Sequence, residues 1–125
     1  MANVIHTTNA PAAVGPYSQA MDCGVFVFCS GQIPLVPETG LMVEGGIEEQ
    51  ARQMFANIKA VLYAAGLDFG NVIKTTVFMT DLGQFATLNG IYAEYFPDNP
   101  PARSCVEVSA LPKGALVECE VIAKR

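Results

Sequence analysis

The chain has 125 residues, of which 51% are hydrophobic and 15% charged, and its formal net charge is −5. This length suits one domain, so we expect a single domain over residues 1–125. The acidic balance and the scattered positions of the seven Lys and Arg residues argue against a nucleic-acid or anionic-membrane partner.

The chain begins without the charged and apolar segments of a signal peptide, and no apolar run approaches the ~20 residues of a membrane span. We therefore expect a cytoplasmic protein. Two short strands are expected near residues 3–7 and 17–22, followed by a stronger one over the apolar, β-favouring residues 25–29. Residues 34–46, which contain two prolines and a Thr-Gly pair, predict a loop.

Two helices are indicated by apolar side chains that recur at three- and four-residue steps. The first is expected over residues 47–66, with Gly66 closing its carboxyl end. The second is expected over residues 82–96, where Asp81 and Gln84 resemble a capping box and the proline-rich run 97–101 ends the helix. Gly90 weakens this helix by roughly 1 kcal/mol relative to Ala.

Strands are also predicted at 72–79, 103–108 and 116–123. In the last of these, Glu118 and Glu120 fall on one face, and Val117, Cys119 and Val121 on the other. The element order β-β-β-α-β-α-β-β predicts an α+β sheet with both helices on one face, which leaves the other face to find a partner.

Several catalytic machineries lack the residues they need. His6 is the only histidine, so a histidine-rich metal site is impossible and a histidine-based triad is disfavoured. The four cysteines show no C-x-x-C spacing, and each is expected to lie in a strand-like apolar run, where a reduced cysteine acts as a small hydrophobe. Cys105 follows Arg103 by two residues, and a nearby cation can activate a thiol, but no base accompanies it.

Polar residues in otherwise apolar surroundings are the candidates for chemistry. Arg103 opens a strand and offers a two-pronged fit to a carboxylate; a surface ion pair with Glu107 or Asp98 is the alternative. Glu118 stands in an apolar strand, where it either reaches solvent, pairs with a cation or acts as a base.

Weaker signals come from the loops and the second helix. Asn89 shares a helical face with Phe85 and Tyr92 and could bond either a ligand or a loop backbone. Tyr17 follows a rigid Gly-Pro turn, and the Ser30–Gly31 pair at a strand end could permit close backbone approach by a ligand or a neighbouring segment.

Taken together, these segments closely resemble the reactive intermediate deaminase family, also known as the YjgF family. The resemblance runs in order over residues 15–20 (GPYSQA), 30–34 (SGQIP), the helix 50–66, 102–108 (ARSCVEV), 111–113 (LPK) and Glu118. One departure is Cys119, where the family usually carries Ile or Met; it affects packing behind the strand and no polar role.

The resemblance implies a chorismate-mutase-like α+β fold, with about six strands in a mixed sheet and two helices packed on one face, assembled as a homotrimer with sites between subunits. It implies hydrolysis of reactive 2-imino acids to 2-keto acids and ammonia, without metal or cofactor. Arg103 would hold the substrate carboxylate and Glu118 would position or activate water. Five further residues would line the cleft: Tyr17, Ser30, Gly31, Asn89 and Cys105, the last mainly through its backbone.

Two other functions remain open at this level. Family members have also been called translation inhibitors or ribonucleases, which an acidic chain with scattered cations does not favour. A non-enzymatic ligand-binding or chaperone-like trimer could use the same cleft. The presence of both Arg103 and Glu118 favours catalysis, because a protein that only binds carboxylates does not need a carboxylate of its own in the site.

Overall fold

The computed structural model describes residues 2–125. Its strands are β1 (Asn3–Ile5), β2 (Ala20–Asp22), β3 (Phe26–Gln32), β4 (Val72–Met79), β5 (Ala102–Glu107) and β6 (Val117–Lys124). They form one sheet in the order β1-β2-β3-β6-β4-β5, in which β4 and β5 are parallel and all other neighbours antiparallel. The predicted order of elements and the mixed six-stranded sheet are confirmed.

Helix α1 (Ile47–Ala64) occupies the predicted segment. At its start, the Glu49 carboxylate accepts a hydrogen bond from the backbone N–H of Gly46 at 2.8 Å. At its end, Gly66 has φ +76°, and its N–H donates to the Tyr63 carbonyl while that of Leu67 donates to the Leu62 carbonyl. These bonds satisfy the last carbonyls of the helix, as the terminal glycine predicted.

Helix α2 (Phe85–Tyr95) begins three residues later than predicted. A single 3₁₀ turn, Leu82–Gln84, precedes it, and Asp81 caps that turn by accepting from the N–H of Gly83 at 2.8 Å. The expected capping box therefore does not begin α2, because Asp81 is used one turn earlier. The Glu107 carboxylate accepts from the N–H of Leu82, also at 2.8 Å, and ties this turn to β5.

Both helices cover one face of the sheet, and the hydrophobic core lies between the two layers. Its largest fully buried side chains are Phe55, Met54, Ile58, Leu62, Met79 and Leu88. The opposite face exposes aromatic and aliphatic side chains, including Phe28 and Val106, which are 48% and 43% exposed. The prediction that one sheet face lacks a helix is confirmed.

Four free cysteines are distributed between core and surface. Cys29 and Cys119 are buried, Cys105 is half-buried and Cys23 is exposed. The expectation that Cys23 lies in an apolar strand is wrong, because β2 ends at Asp22 and Cys23 belongs to the turn that follows. Within residues 2–125, none of the helices combines the length and apolar character needed to cross a bilayer.

Candidate active site

A cavity of about 380 Å³ opens at the end of β3 and the start of β6. Glu118 is the only acidic residue and Lys113 the only basic residue of its lining. The remaining lining residues are Pro11, Ala12, Val14, Tyr17, Gln19, Ser30, Gly31, Gln32, Ile33, Leu35 and Pro112. Four of the predicted site residues, Tyr17, Ser30, Gly31 and Glu118, therefore meet in one cavity.

A β-bulge places Glu118 against Gly31. Cys29 pairs with Val121 and Gln32 with Cys119, so β3 advances three residues while β6 advances two. The extra residue locally bends the strand. A Cβ on Gly31 would overlap Oε2 of Glu118 and lie 3.0 Å from its Cδ. Only glycine leaves room for the carboxylate in this position.

The surroundings of Glu118 favour its protonated form. Partial burial raises the pKa of the Glu118 carboxyl above its usual value, and the like charge of Glu120, two residues along the same face of β6, raises it further. A carboxyl group with a raised pKa is better able to exchange protons near neutral pH than an exposed one. Glu118 thus has the properties of an acid–base group.

Buried Gln19 fixes the segment that forms one cavity wall. Its side-chain amide donates to the carbonyls of Thr7 at 3.0 Å and Pro11 at 2.8 Å, and its carbonyl accepts from the N–H of Thr7 at 2.7 Å. Next to it, the Ser30 hydroxyl donates to the Ser18 carbonyl at 2.6 Å. Ser30 lines the cavity, while its hydroxyl proton is bonded to the segment that leads into β2.

Asn57, on the buried face of α1, fixes the opposite wall. Its amide donates to the carbonyls of Ile33 at 3.2 Å and Leu35 at 2.9 Å, both of which line the cavity. Seven residues earlier on the same face, Gln50 accepts from the N–H of Leu116 just before β6. Sequence reasoning missed both amides, although two amides seven residues apart within an apolar helix face were a usable signal.

Arg103 belongs to a second cluster, on β5 and α2. Its Nη1 donates to Oδ1 of Asn89 at 2.8 Å. The guanidinium carbon lies 4.7 Å from the ring centre of Tyr92 and 5.3 Å from that of Phe85. The predicted shared face of Asn89, Phe85 and Tyr92 is confirmed. Arg103 forms no ion pair with Glu107 or Asp98.

The two clusters lie on opposite faces of the sheet. Arg103 pairs with Thr75 of β4, and Glu118 pairs with Phe78 of the same strand. Residues three apart on a strand point to opposite faces. Thr75 is fully buried beneath the helices, so Arg103 is on the helix side and Glu118 on the uncovered side. The two charged groups of one chain cannot face a common small ligand.

Cys105 lies on the same face of β5 as Arg103 and lines an open hollow with Leu82 and Phe85. Desolvation raises the pKa of its thiol, and this outweighs the opposing effect of Arg103. The thiol is therefore not activated as a nucleophile. Among residues 2–125, no three His, Cys, Asp or Glu side chains are placed to hold a metal ion together.

The mixed sheet, the one-sided helix layer and the carboxylate-bearing cavity define a small α+β protein built to receive a ligand. Residues 7–125 match the family described as Endoribonuclease L-PSP, and the chain belongs to that family. This confirms the resemblance noted in the sequence, since relatives named reactive intermediate deaminases belong to the same group.

Relatives and solved structures match this chain over nearly its whole length. The 2-iminobutanoate/2-iminopropanoate deaminase of Salmonella typhimurium is 51% identical over 128 residues, covering 100% of this chain and 99% of that protein. A RutC family protein of Pyrococcus horikoshii is 54% identical over 123 residues, covering 98% of each. The crystal structure of Escherichia coli TdcF with bound serine superposes with a TM-score of 0.94 at 48% identity, covering 98% of each chain.

Proposed function

We propose that this protein hydrolyses reactive 2-imino acids, such as 2-iminopropanoate and 2-iminobutanoate, to 2-keto acids and ammonia. The observation that carries the proposal is the Glu118 carboxyl at the Gly31 bulge, which faces the cavity and has a raised pKa. The names of relatives at about half identity point to the same chemistry. Four free thiols fit a reducing compartment, and we propose that the protein acts in the cytoplasm.

The reaction needs an anchor for the substrate and an acid–base group for water. The imine carbon is electrophilic, so correct orientation removes much of the barrier. Arg103 would bind the substrate carboxylate through its guanidinium fork. Glu118 would accept a proton as water adds to the C=N carbon and would pass it to the nitrogen, which gives a carbinolamine. It would then move the proton of the new hydroxyl group to the nitrogen as the C–N bond breaks, so that the keto group forms and ammonia leaves. Imine and water are consumed, and keto acid and ammonia are formed.

We further propose that each site is shared between subunits of a homotrimer. Because Arg103 and Glu118 face opposite sides of the sheet, the Glu118 cavity of one chain needs the Arg103 cluster of another. The exposed apolar side chains of the uncovered face, among them Phe28 and Val106, offer a surface for this contact. Three chains of 13.3 kDa give about 40 kDa, which sedimentation can measure.

The activity is tested by a coupled assay. A pyridoxal-phosphate-dependent dehydratase generates imine from serine or threonine, and keto-acid release is timed with and without this protein. Wild-type protein should accelerate release, with and without EDTA. Glu118→Gln should lower kcat about a hundredfold or more, because it keeps the shape and removes the acid–base group. Glu44→Gln, which removes an exposed loop carboxylate, is the matched control.

Substitutions of Arg103 should affect ligand binding, in contrast to the effect of Glu118→Gln on turnover. Arg103→Ala removes charge-assisted hydrogen bonds and should weaken binding of 2-ketobutyrate, while Arg103→Lys restores only part of it because the fork is lost. Glu118→Gln should bind 2-ketobutyrate nearly as well as wild type. Wild-type turnover by Glu118→Gln, or wild-type binding by Arg103→Ala, would refute this division of roles.

An activity on RNA is the second candidate, because the matched family is described as an endoribonuclease. The net charge of −5 weighs against it. Cleavage of a labelled RNA that is lost in Glu118→Gln would favour this candidate over the deaminase. RNA left intact while imine hydrolysis is accelerated would favour the deaminase.

A further inference from the structure

The Arg103 guanidinium lies over a buried aromatic ring. Its central carbon lies 4.7 Å from the ring centre of Tyr92, closer than to that of Phe85. A guanidinium stacked on an aromatic face is stabilised electrostatically and keeps its N–H groups at the edge, directed away from the ring. The Asn89 bond occupies one of those N–H groups. This arrangement leaves the other N–H groups of the fork for another acceptor.

Tyr92 is itself held on two sides. Its hydroxyl is 2.8 Å from the hydroxyl of Thr75, and both residues are buried, with exposures of 5% and 0%. Its ring packs against Phe96 and Phe55, at centroid distances of 4.6 Å and 5.9 Å. A buried tyrosine hydroxyl requires a partner, so the bond to Thr75 fixes where the ring can lie.

Arg103 alone would be a flexible anchor. The side chain is exposed and sits on an edge strand of the sheet. A long side chain without fixed neighbours loses rotamer entropy when it binds a ligand. The Tyr92 ring and the Asn89 carbonyl restrict the Arg103 side chain to one orientation before the ligand binds. The affinity for the ligand therefore depends on these two residues.

We propose that Tyr92 is a positioning residue: its ring, fixed by Thr75 and the aromatic core, holds the Arg103 fork in the orientation that receives a substrate carboxylate. This inference rests on the proposed function for its consequence in catalysis. Its structural part, the immobilisation of Arg103 by Tyr92, is independent of any activity. The same geometry makes Asn89 a partner of Arg103 in addition to its expected place in the cleft.

Two measurements on Tyr92→Met test the proposal, because methionine fills the space without a flat ring. The first is the order parameter of the Arg103 Nε–H group from ¹⁵N relaxation; the chain has three arginines, and Arg103→Ala identifies the signal. We expect a value near 0.8 in wild type and below about 0.6 in Tyr92→Met. The second is the dissociation constant for 2-ketobutyrate, which should rise about tenfold.

A double-mutant cycle separates positioning from general damage. If Tyr92 acts through Arg103, Tyr92→Met should change the dissociation constant little further in an Arg103→Ala background. Tyr95→Met is the matched control: Tyr95 lies in α2 like Tyr92, stacks on Phe55 of α1 at 4.5 Å, and lies outside the Arg103 cluster. It should lower stability while leaving the Arg103 order parameter and keto-acid affinity at wild-type values.

Two more variants complete the test. Tyr92→Phe keeps the ring, so it should retain a rigid Arg103 and most of the affinity. Should Tyr92→Met not fold, Phe85→Leu removes the second ring at a half-buried position, and should raise the dissociation constant severalfold. An Arg103 that stays rigid in Tyr92→Met and Phe85→Leu overturns the inference. A rigid-to-mobile change without imine hydrolysis by wild type would instead reject the proposed function and retain the positioning role.

Discussion

Arg103 and Glu118 project from opposite faces of the sheet, with their β4 partners, Thr75 and Phe78, three residues apart. Neither charge can be brought to the other's side without unpairing a strand. A site that uses both must therefore draw them from two chains. This geometry gives the shared-site proposal a direct test in mixed assemblies.

Mixing two inactive variants should restore activity. Arg103→Ala chains keep Glu118, and Glu118→Gln chains keep Arg103, so a contact between unlike chains can hold both intact groups. If chains unfolded together in equal amounts reassemble at random, about one site in four is intact, and about a quarter of wild-type activity should return. The measurement is the coupled imine assay after co-refolding.

The control for this experiment is the double variant Arg103→Ala with Glu118→Gln, co-refolded with wild type. Random assortment leaves about one site in four intact here as well, so equal recoveries are expected from the two mixtures. If both groups acted from one chain, the double-variant mixture would retain about half of the activity and the single-variant mixture would stay inactive.

Glycine at position 31 is predicted to be essential for activity. Gly31→Ala places a methyl group against the Glu118 carboxylate, which must then move away from the bulge. We expect a loss of kcat close to that of Glu118→Gln, with keto-acid binding less affected. Gly70→Ala is the matched control, because nothing lies within 4 Å of a Cβ at that position and its φ is ordinary. Wild-type kcat in Gly31→Ala would contradict the assigned position of Glu118.

Much of the fold was predictable because its signals are local. The apolar repeat of α1, its terminal glycine and the β-branched run of β4 each determine an element within a few residues. The start of α2 could not be predicted, because Asp81 can cap either a 3₁₀ turn or the helix. The hydrogen bond from the Leu82 N–H to the Glu107 carboxylate of β5 selects the turn. That bond joins segments 25 residues apart, which no local pattern reveals.

The sequence motifs predict a set of site residues but not their arrangement. Four of those residues, Tyr17, Ser30, Gly31 and Glu118, line one cavity of the folded chain. The motifs do not reveal that Arg103 faces the other side, because that depends on the register of β5 against β4. The carbonyl partners of the supporting amides Gln19 and Asn57 could not be predicted, because only the folded chain brings them close, although the place of Asn57 on an apolar helix face could have marked it as a buried polar residue.

Asn57 is predicted to connect stability with the shape of the cavity. Asn57→Ala leaves the carbonyls of Ile33 and Leu35 without their donor in a buried place, which should lower the free energy of unfolding by about 1–3 kcal/mol. Urea denaturation measures this. Gln53 donates a hydrogen bond to the Asn57 side chain and to neither carbonyl, so Gln53→Ala should lower the free energy of unfolding by less. An equal loss from both would mean that the two carbonyls do not depend on Asn57.

Glu118 should make the protein less stable as the pH rises. Burial and the charge of Glu120 raise its folded-state pKa above the unfolded value, so the folded state binds the proton more tightly. The resulting stabilisation is fully present below the unfolded pKa and is lost as the pH rises through the folded pKa. Glu118→Gln stays neutral at every pH. The free energy of unfolding of this variant, relative to wild type, should therefore be lowest in acid and increase to a plateau above the folded pKa.

Urea denaturation between pH 4 and pH 8 measures this difference, at one fixed protein concentration because the proposed subunit contacts would depend on it. Glu44→Gln controls for the loss of one negative charge from an exposed loop. Glu120→Gln removes the second cause of the shift, so in that background the rise should move to lower pH. The free energy of unfolding of Glu118→Gln relative to wild type could instead stay constant or fall as the pH increases. That result would mean that Glu118 is not held in a desolvating site, and the acid–base role proposed for it would lose its physical basis.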